Sequence, residues 1–223
     1  MACGLVDTAA NANTEEEPRF QGIAVAQVVS NLDTKGLGRV QIRLSWLAGT
    51  LVWARVAAPM AGLNYGTYFI PQPFTEVVVA FNNGDTADPI IIGSLWNSLD
   101  RPPALLPTDP TNKRVIRTPL GHEIEFNEAT QSISITTSLQ QQIVLDPSGI
   151  RMTTAGLNGG TTTTMDTAGN VSISASTSIS LKAPTIRIDG ATRVDIKSAA
   201  AANINGGAQC SIKAMNVGIN DPI

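Results

Sequence analysis

Residues 171–219 read VSISASTSISLKAPTIRIDGATRVDIKSAAAANINGGAQCSIKAMNVGI and carry the strongest structural signal in the chain. Two apolar residues separated by one polar or very small residue recur there every seven or eight positions. The pairs are Val171/Ile173, Ile179/Leu181, Ile186/Ile188, Val194/Ile196, Ala202/Ile204, Cys210/Ile212 and Val217/Ile219. Such alternation is typical of a short β-strand with one buried face. Glycines and prolines fall between the pairs, where the chain must turn.

A three-residue strand followed by a turn cannot be stable alone, because two apolar side chains per layer leave the backbone unpaired and the core open. Other copies of the chain must supply the missing walls. We therefore predict a homotrimeric triple-stranded β-helix, a triangular prism with the apolar residues on its axis. The predicted axis residues are Ile173, Ile179, Leu181, Ile186, Ile188, Val194, Ile196, Ile204, Cys210 and Ile212.

Weaker pairs of the same kind lie upstream of this repeat. They are Ile124/Phe126, Ile133/Ile135, Ile143/Leu145, Ile150/Met152 and Thr163/Met165. With these pairs the needle has about a dozen layers, and strands about 4.8 Å apart make it on the order of 60 Å long. The run Gly159–Thr164 lacks apolar residues, and we interpret it as a loose bulge in the needle.

The aromatic residues divide the chain into two unlike parts. All ten lie between Phe20 and Phe126, so the second part cannot build a thick core around large side chains. An axis lined by small and aliphatic side chains fits this composition and accepts Cys210 as a small buried hydrophobe. Trp46, Trp53 and Trp96 are expected to pack at the ends of an N-terminal domain or between subunits.

That N-terminal domain shows short alternating segments broken by glycine, proline and Asn-Gly signals. The predicted strands are Gly22–Val29, Arg39–Leu47, Leu51–Ala57, Glu76–Phe81 and Ile90–Trp96. Five short antiparallel strands in so few residues favour a small closed barrel of the OB type. We expect positive φ at Gly36 and Gly38, and a hairpin at Asn82–Gly84.

The whole chain is therefore predicted to be all-β, with four segments. Residues 1–18 form a flexible N-terminal arm, 19–97 the OB-fold barrel, 98–118 a stiff proline-rich linker and 119–223 the β-helical spike. The arm is either a solvated tail or a segment that docks on a neighbour in an assembly.

Composition and motifs argue against several functional classes. The formal net charge of −3 and the sequence pI of about 5.1 give no basic footprint for nucleic acid or for an anionic membrane surface. No signal peptide or membrane-spanning apolar run is recognisable, which favours assembly in the cytoplasm. The two cysteines suggest neither a disulfide framework nor a metal site, and we predict no cofactor. His122 beside Glu123 and Glu125 is expected to be structural, so the chain is predicted not to be an enzyme.

Four stretches give the N-terminal domain a family likeness. They are LDTKGLGRVQIRLSWL (32–47), VWARVAAPMAG (52–62), GTYFIPQPFTEVVVAFNNGD (66–85) and PIIIGSLWN (89–97), and TPLGHEIEFNE (118–128) follows them. Together they resemble the gp5-like OB domain of phage baseplate spikes and of VgrG-like type VI secretion spikes, with the entry into a β-helical needle. The resemblance implies a trimeric, membrane-puncturing spike below the tail tube of a contractile injection system.

The chain differs from that family pattern in three respects. Only the arm precedes the barrel, so the resemblance implies a separate hub protein. The linker is too short to hold the lysozyme domain of some phage spikes. His122 is the only histidine and lies far from the C-terminus, so the paired histidines of a metal-binding apex are missing. We therefore expect a small PAAR-type tip protein to cover the predicted tip interface, which comprises Met215, Val217, Ile219, Pro222 and Ile223.

Two other functions remain open at this point. An OB-fold nucleic-acid-binding protein with an oligomerising β-helical tail would need a basic groove with aromatic platforms, and the barrel strands offer only the scattered Arg39, Arg43 and Arg55. A β-helical adhesin or polysaccharide-binding fibre would share the needle but would not need the barrel motifs.

Overall fold

The computed structural model of the protein describes Phe20 and residues 22–104, 106–156 and 159–217. The arm predicted for residues 1–18 and the tip residues Ile219, Pro222 and Ile223 lie outside the described residues. The regular secondary structure of the described chain is almost all β, as the sequence predicts, with one α-helical turn and one short 3-10 segment.

Seven strands precede residue 97. They are β1 (Ile23–Ser30), β2 (Val40–Leu44), β3 (Thr50–Val56), β4 (Ala61–Gly62), β5 (Tyr65–Gly66), β6 (Glu76–Phe81) and β7 (Pro89–Leu95). Five of them close into a barrel in the order β1-β2-β3-β7-β6, while β4 and β5 form a separate two-stranded hairpin. All neighbours in the barrel are antiparallel except β3 and β7, which run parallel. The predicted five-stranded closed barrel is confirmed, but the expectation that its strands are all antiparallel is wrong for β3 and β7.

Alternation along the strands builds the barrel core. Every second residue of β1, β2 and β6 points inward, so that aliphatic side chains fill the barrel while their neighbours face outward. The buried residues are Ala24, Ala26, Val28, Val40, Ile42, Leu44, Ala54, Val77, Val79, Phe81 and Ile91. Burying an aliphatic side chain of this size contributes about 1.5–3 kcal/mol, so this cluster is the main source of barrel stability.

The observed barrel strands match the predicted ones closely, except that β2 is shorter than expected. It ends at Leu44 because Ala48 and Gly49 both adopt positive φ and turn the chain into β3. Gly36 and Gly38 have φ of 66° and 67°, as predicted. The hairpin residues Asn82–Gly84 form the 3-10 segment that joins β6 to β7.

The second part of the chain begins with a helical turn, α1 (Asp109–Asn112). Seven strands follow: β8 (Lys113–Arg117), β9 (Glu123–Asn127), β10 (Ser132–Thr136), β11 (Gln142–Asp146), β12 (Gly149–Thr154), β13 (Thr161–Asp166) and β14 (Val171–Ala175). They pair in chain order as one antiparallel sheet, which we call the meander sheet. Each strand thus hydrogen-bonds to the strands that precede and follow it in the sequence, and short turns connect them.

Three details of this region differ from the sequence-based expectation. Secondary structure starts inside the predicted linker, because α1 and β8 lie within residues 98–118. The residues Thr161–Thr164 belong to β13 and pair with β12 and β14 instead of forming a bulge. The sequence pattern predicts that the strands holding the upstream apolar pairs form ladders between subunits. In the structure these strands form ladders within one chain. The domain limits themselves remain a prediction.

Residues 176–217 are described along their whole length and contain no strand. This stretch, which we call the repeat segment, makes no backbone ladder with the rest of the described chain. The triple-stranded β-helix predicted for it therefore remains a proposal.

Candidate functional site

The meander sheet has one face lined almost entirely by apolar side chains. Opposite residues across its ladders form two rows that cross all seven strands. One row consists of Ile116, Ile124, Ile135, Ile143, Met152, Thr163 and Ile173, and the other of Arg114, Phe126, Ile133, Leu145, Ile150, Met165 and Val171. We call this surface the apolar face. Its upstream members are the weaker pairs predicted from the sequence.

The apolar face has no cover in the described chain. Phe126 is 42% exposed, Ile135 43% and Ile173 55%, although such side chains are ordinarily buried in a folded protein. A continuous apolar surface across seven strands is much larger than the scattered exposed residues of a typical monomer, and such surfaces mark contact sites.

The opposite face of the meander sheet is mostly polar, with Val115 and Val144 as apolar exceptions. Lys113 Nζ lies 3.5 Å from a Glu125 carboxylate oxygen and 3.7 Å from one of Asp109, and Arg117 Nε lies 3.5 Å from Glu123. The charge of Glu125, followed by that of Asp109, raises the pKa of Lys113 above its usual range. Glu123 and Glu125 thus lie on the face of the sheet opposite to Ile124 and Phe126, as the alternation of side chains along a strand requires.

The repeat segment carries the predicted axis residues downstream of Ile173, all of them exposed. Ile186 is 51% exposed, Ile188 67% and Ile196 75%. Cys210 is an exposed free thiol in the single chain. The described chain supplies no cover for these side chains, and their assignment to an axis is a proposal. Of the predicted tip residues, Met215 and Val217 are described, and both are exposed.

One end of the barrel is closed by an aromatic cluster. Phe20 stacks on Trp46 with ring centroids 4.7 Å apart, and both meet the edge of Phe81. Trp46 therefore packs at a barrel end, as predicted, whereas Trp96 is exposed. The Phe20 amide donates to the Gly84 carbonyl, which fixes the chain where it enters the barrel.

The loop before β2 is organised around one carboxylate. Asp33 accepts hydrogen bonds from the Arg39 guanidinium and from the backbone amides of Lys35, Leu37 and Arg39. These bonds, above all those from the Arg39 side chain, hold the pKa of Asp33 far below its usual range. The Arg39 guanidinium also lies over the Trp53 ring, 5.3 Å from its centroid.

The barrel arginines are thereby engaged in structural contacts. Arg39 is bound to Asp33, and Arg55 makes two hydrogen bonds, of 2.9 and 3.1 Å, with the carboxylate of Asp88. Two of the three arginines offered for a nucleic-acid groove are therefore neutralised by acidic partners, which weakens that alternative.

A second exposed surface lies on the barrel and was not anticipated from the sequence. Residues 56–75 contain no charged side chain, and they carry Tyr65, Tyr68, Phe69 and Phe74, which are 63–79% exposed. The loop borders a shallow groove of about 650 Å³ together with Gly36, Leu37 and Gly38. The sequence does contain a signal for this contact surface, because twenty consecutive residues are uncharged and four of them are aromatic.

Within the described ranges, no three His, Cys, Asp or Glu side chains come close enough together to hold a metal ion. None of the helices in those ranges is both long and apolar enough to cross a membrane. Three surfaces of the described chain are suited to contact with other macromolecules: the apolar sheet face, the repeat without backbone partners and the uncharged aromatic loop.

Comparison with known proteins gives these surfaces a context. A family model described as the type VI secretion system/phage-baseplate injector OB domain matches residues 24–96, which are the barrel. The chain is 33% identical over 122 residues to the type VI secretion system spike protein VgrG3 of Vibrio cholerae. It is 36% identical over 104 residues to the spike protein VgrG5 of Pseudomonas aeruginosa.

A third relative is a Vibrio cholerae protein named actin cross-linking toxin VgrG1, 34% identical over 127 residues. These alignments cover 42–52% of the chain but only 12–13% of each relative. The chain thus spans a small part of the length of the relatives it matches. The barrel therefore matches the injector OB domain of type VI secretion systems and phage baseplates, and the aligned part of the chain is similar to VgrG spike proteins.

Proposed function

We propose that the protein is the non-enzymatic structural spike of a contractile injection system, in which three copies form a membrane-puncturing needle. The observation that carries this proposal is the order of parts along the chain. An injector-type OB barrel is followed by a sheet with an uncovered apolar face and then by an apolar repeat whose backbone has no partner in the chain.

The exposed apolar residues of the described chain support assembly with other copies. Ile135 is 43% exposed, Ile188 67% and Ile212 70%. Such side chains are ordinarily buried in a folded protein. Their exposure is expected of a subunit that completes its fold only within an oligomer.

A β-helix formed by one chain is the main alternative for the repeat segment. In such a solenoid each strand would pair with another strand of the same chain one coil later. Residues 176–217 show no such ladder. This favours a needle in which the strand partners come from other chains, with the predicted axis residues, from Ile173 to Ile212, facing one another along the threefold axis.

The proposed partners follow from this arrangement. A separate hub protein and the tail tube would join the N-terminal end of the chain, and the uncharged loop of residues 56–75 offers a further contact surface. A PAAR-type tip protein would cover Met215, Val217, Ile219, Pro222 and Ile223, since Met215 and Val217 are apolar and exposed in the described chain. The particle would assemble in the cytoplasm and meet the target membrane only during injection.

Light scattering coupled to gel filtration tests the central claim. The purified chain should elute at three times the 23.4 kDa mass of one chain, without concentration-dependent dissociation in the micromolar range. A folded monomer at micromolar concentration would contradict the proposed function as a whole.

A further inference from the structure

The groove beside the uncharged loop of residues 56–75 presents aromatic rings in defined positions. Met60, Tyr65 and Tyr68 line it. The Tyr65 ring lies against Gly62, where a Cβ would collide with it, and the Tyr68 ring lies 3.8 Å from the place that a Cβ would take at Gly38. Two tyrosine rings thus stand at its border, and we call it the aromatic groove.

The linker after the barrel starts at the same barrel end as this groove. Strands β3 and β7 run parallel, so the loop that follows β3 and the linker that follows β7 leave the barrel on one side. The Asn97 side chain donates to the Glu76 carboxylate at 3.4 Å and accepts from the amides of Leu99 and Asp100. This turn fixes where the linker begins.

The middle of the linker is uncharged and rich in proline. Residues 102–104 and 106–108, which we call the proline segment, read PPA and LPT. Pro103 and Pro107 are exposed, and Leu106 is 63% exposed. The Leu106 amide donates to the buried Asp109 carboxylate at 2.8 Å. The proline segment is therefore fixed at its far end too, while its prolines stay open to solvent.

We infer that the proline segment of one copy of this chain lies in the aromatic groove of the next copy. Each copy then gives its segment to one neighbour and receives that of the other. This inference rests on the trimer proposed above and adds a contact at the base of the barrel.

The chemistry of the two surfaces is complementary. Aromatic-lined grooves are typical binding sites for proline-rich segments, because proline rings pack on aromatic rings and the segment loses little conformational entropy. Prolines lack an amide donor, so three of the six residues bring no N–H group that would need a partner in the groove. Residues 56–75 and the proline segment carry no charge, so their contact desolvates no ionised side chain.

Two observations select a second copy as the occupant. The chain's own proline segment does not line the groove, although both lie at the same barrel end. Neighbours in a cyclic trimer meet through two unlike surfaces, which repeat around the ring until it closes. The aromatic groove and the proline segment are such a pair of unlike surfaces.

Chemical cross-linking tests the contact. In a background with Cys3→Ala and Cys210→Ala, Leu37→Cys beside the groove is combined with Ala104→Cys, which keeps all three prolines. A short bismaleimide should join these variants into covalent dimers and trimers on a denaturing gel. Leu37→Cys alone and Ala104→Cys alone should run as single chains.

The matched control moves one cysteine to the other end of the barrel. Asp85 is exposed and lies between β6 and β7 at that end, so Leu37→Cys with Asp85→Cys should give no covalent trimer. If the pair at 37 and 104 gives only single chains while light scattering still shows a trimer, the inference fails and the proposed spike stands. A monomer in light scattering would overturn both.

Limited proteolysis tests the role of the tyrosine rings in the otherwise unchanged chain. Tyr68→Ala should make thermolysin cleave between residues 103 and 106 about threefold to tenfold faster, because the proline segment would leave the groove more often. Phe74→Ala changes an equally exposed aromatic residue of the same loop that does not line the groove, and it should cleave at the wild-type rate. Equal rates for Tyr68→Ala and the wild type would overturn the inference.

Discussion

Single residues in this chain act mainly through hydrogen bonds and through the face on which they lie. Asp33 shows the first case, because one carboxylate satisfies three backbone amides and a guanidinium in the loop before β2. Its side chain is only 4% exposed and that of Arg39 is 21% exposed. A partly buried, charge-assisted network of this kind fixes a loop far more firmly than a surface ion pair does.

Asp33→Asn should therefore lower the melting temperature of the barrel by a few degrees at pH 7. The pKa of Asp33 is lowered in the folded state. Its contribution is thus complete above the ordinary aspartate pKa of about 3.9 and is lost progressively as the pH falls from there to the lowered folded-state pKa. Thermal unfolding followed by circular dichroism at pH 7 and pH 3 measures this. The difference in melting temperature between the wild type and Asp33→Asn should be smaller at pH 3 than at pH 7, and the exposed Asp100→Asn serves as a control that changes neither curve.

The inward and outward positions of the repeat segment give the second residue-scale prediction. Ile188→Asp or Ile196→Asp should block trimer formation, because three carboxylates would be buried side by side without partners. Arg187→Ser and Asp195→Ser should leave assembly nearly unchanged, since these side chains point outward in the proposed needle. Gel filtration with light scattering compares the four variants, and equal behaviour of the two sets would contradict the assignment of faces.

At the scale of elements, strands were predictable where apolar residues alternate with polar ones and less predictable elsewhere. The barrel strands were found because their inward residues are aliphatic and their turns carry glycine or Asn-Gly. Strand β8 was not predicted because it follows Pro110 in a proline-rich stretch. The prolines lie before the strand, so they do not interrupt its ladder. Strand β13 was interpreted as a bulge because Thr161–Thr164 offer no contrast between its two faces.

Pairing partners were harder to predict than faces. Alternation along β9–β12 reveals which side chains share a face, but it does not reveal which strand supplies the hydrogen bonds. Neighbouring apolar pairs are therefore compatible with strands of one chain or of three. The uncharged loop at residues 56–75 was overlooked for a related reason, because its aromatic residues follow neither the strand nor the helix period.

Thr163 allows an element-scale test of the apolar face. It occupies an inward row position between Met152 and Ile173, where a hydroxyl would be desolvated in the assembled needle. Thr163→Val should raise the stability of the assembled protein by about 1 kcal/mol per chain, and Thr164→Val on the polar face should not. Chemical denaturation of the two variants and the wild type measures the difference. A larger gain for Thr164→Val would mean that the faces are reversed.

At the scale of the whole molecule, the chain joins a domain that folds around its own core to a region that exposes its apolar residues. The barrel buries eleven hydrophobic residues, whereas the repeat segment buries none in the described chain. The barrel should therefore fold in a variant that cannot trimerise, and the needle should not.

The C-terminal end provides the whole-molecule prediction. Truncation after Asn216 should leave the trimer intact, because the axis residues up to Ile212 remain, and should abolish binding of a purified PAAR-repeat protein from the same organism. Asn216→Ala in the full chain is the matched control and should bind normally. Co-purification and light scattering report the two properties separately, and undiminished binding by the truncated trimer would show that the tip protein docks elsewhere.

The order of strands in the meander sheet has a mechanical consequence for the proposed needle. Antiparallel ladders place their hydrogen bonds perpendicular to the strands, so in this sheet the bonds run along the direction from β8 to β14. If that direction is the needle axis, a push on the tip presses each strand against the next and loads atomic contacts that resist compression. A pull on the tip loads the ladders one after another, so they open in sequence from the end. Such a needle is stiff while it advances and much weaker when it is drawn back.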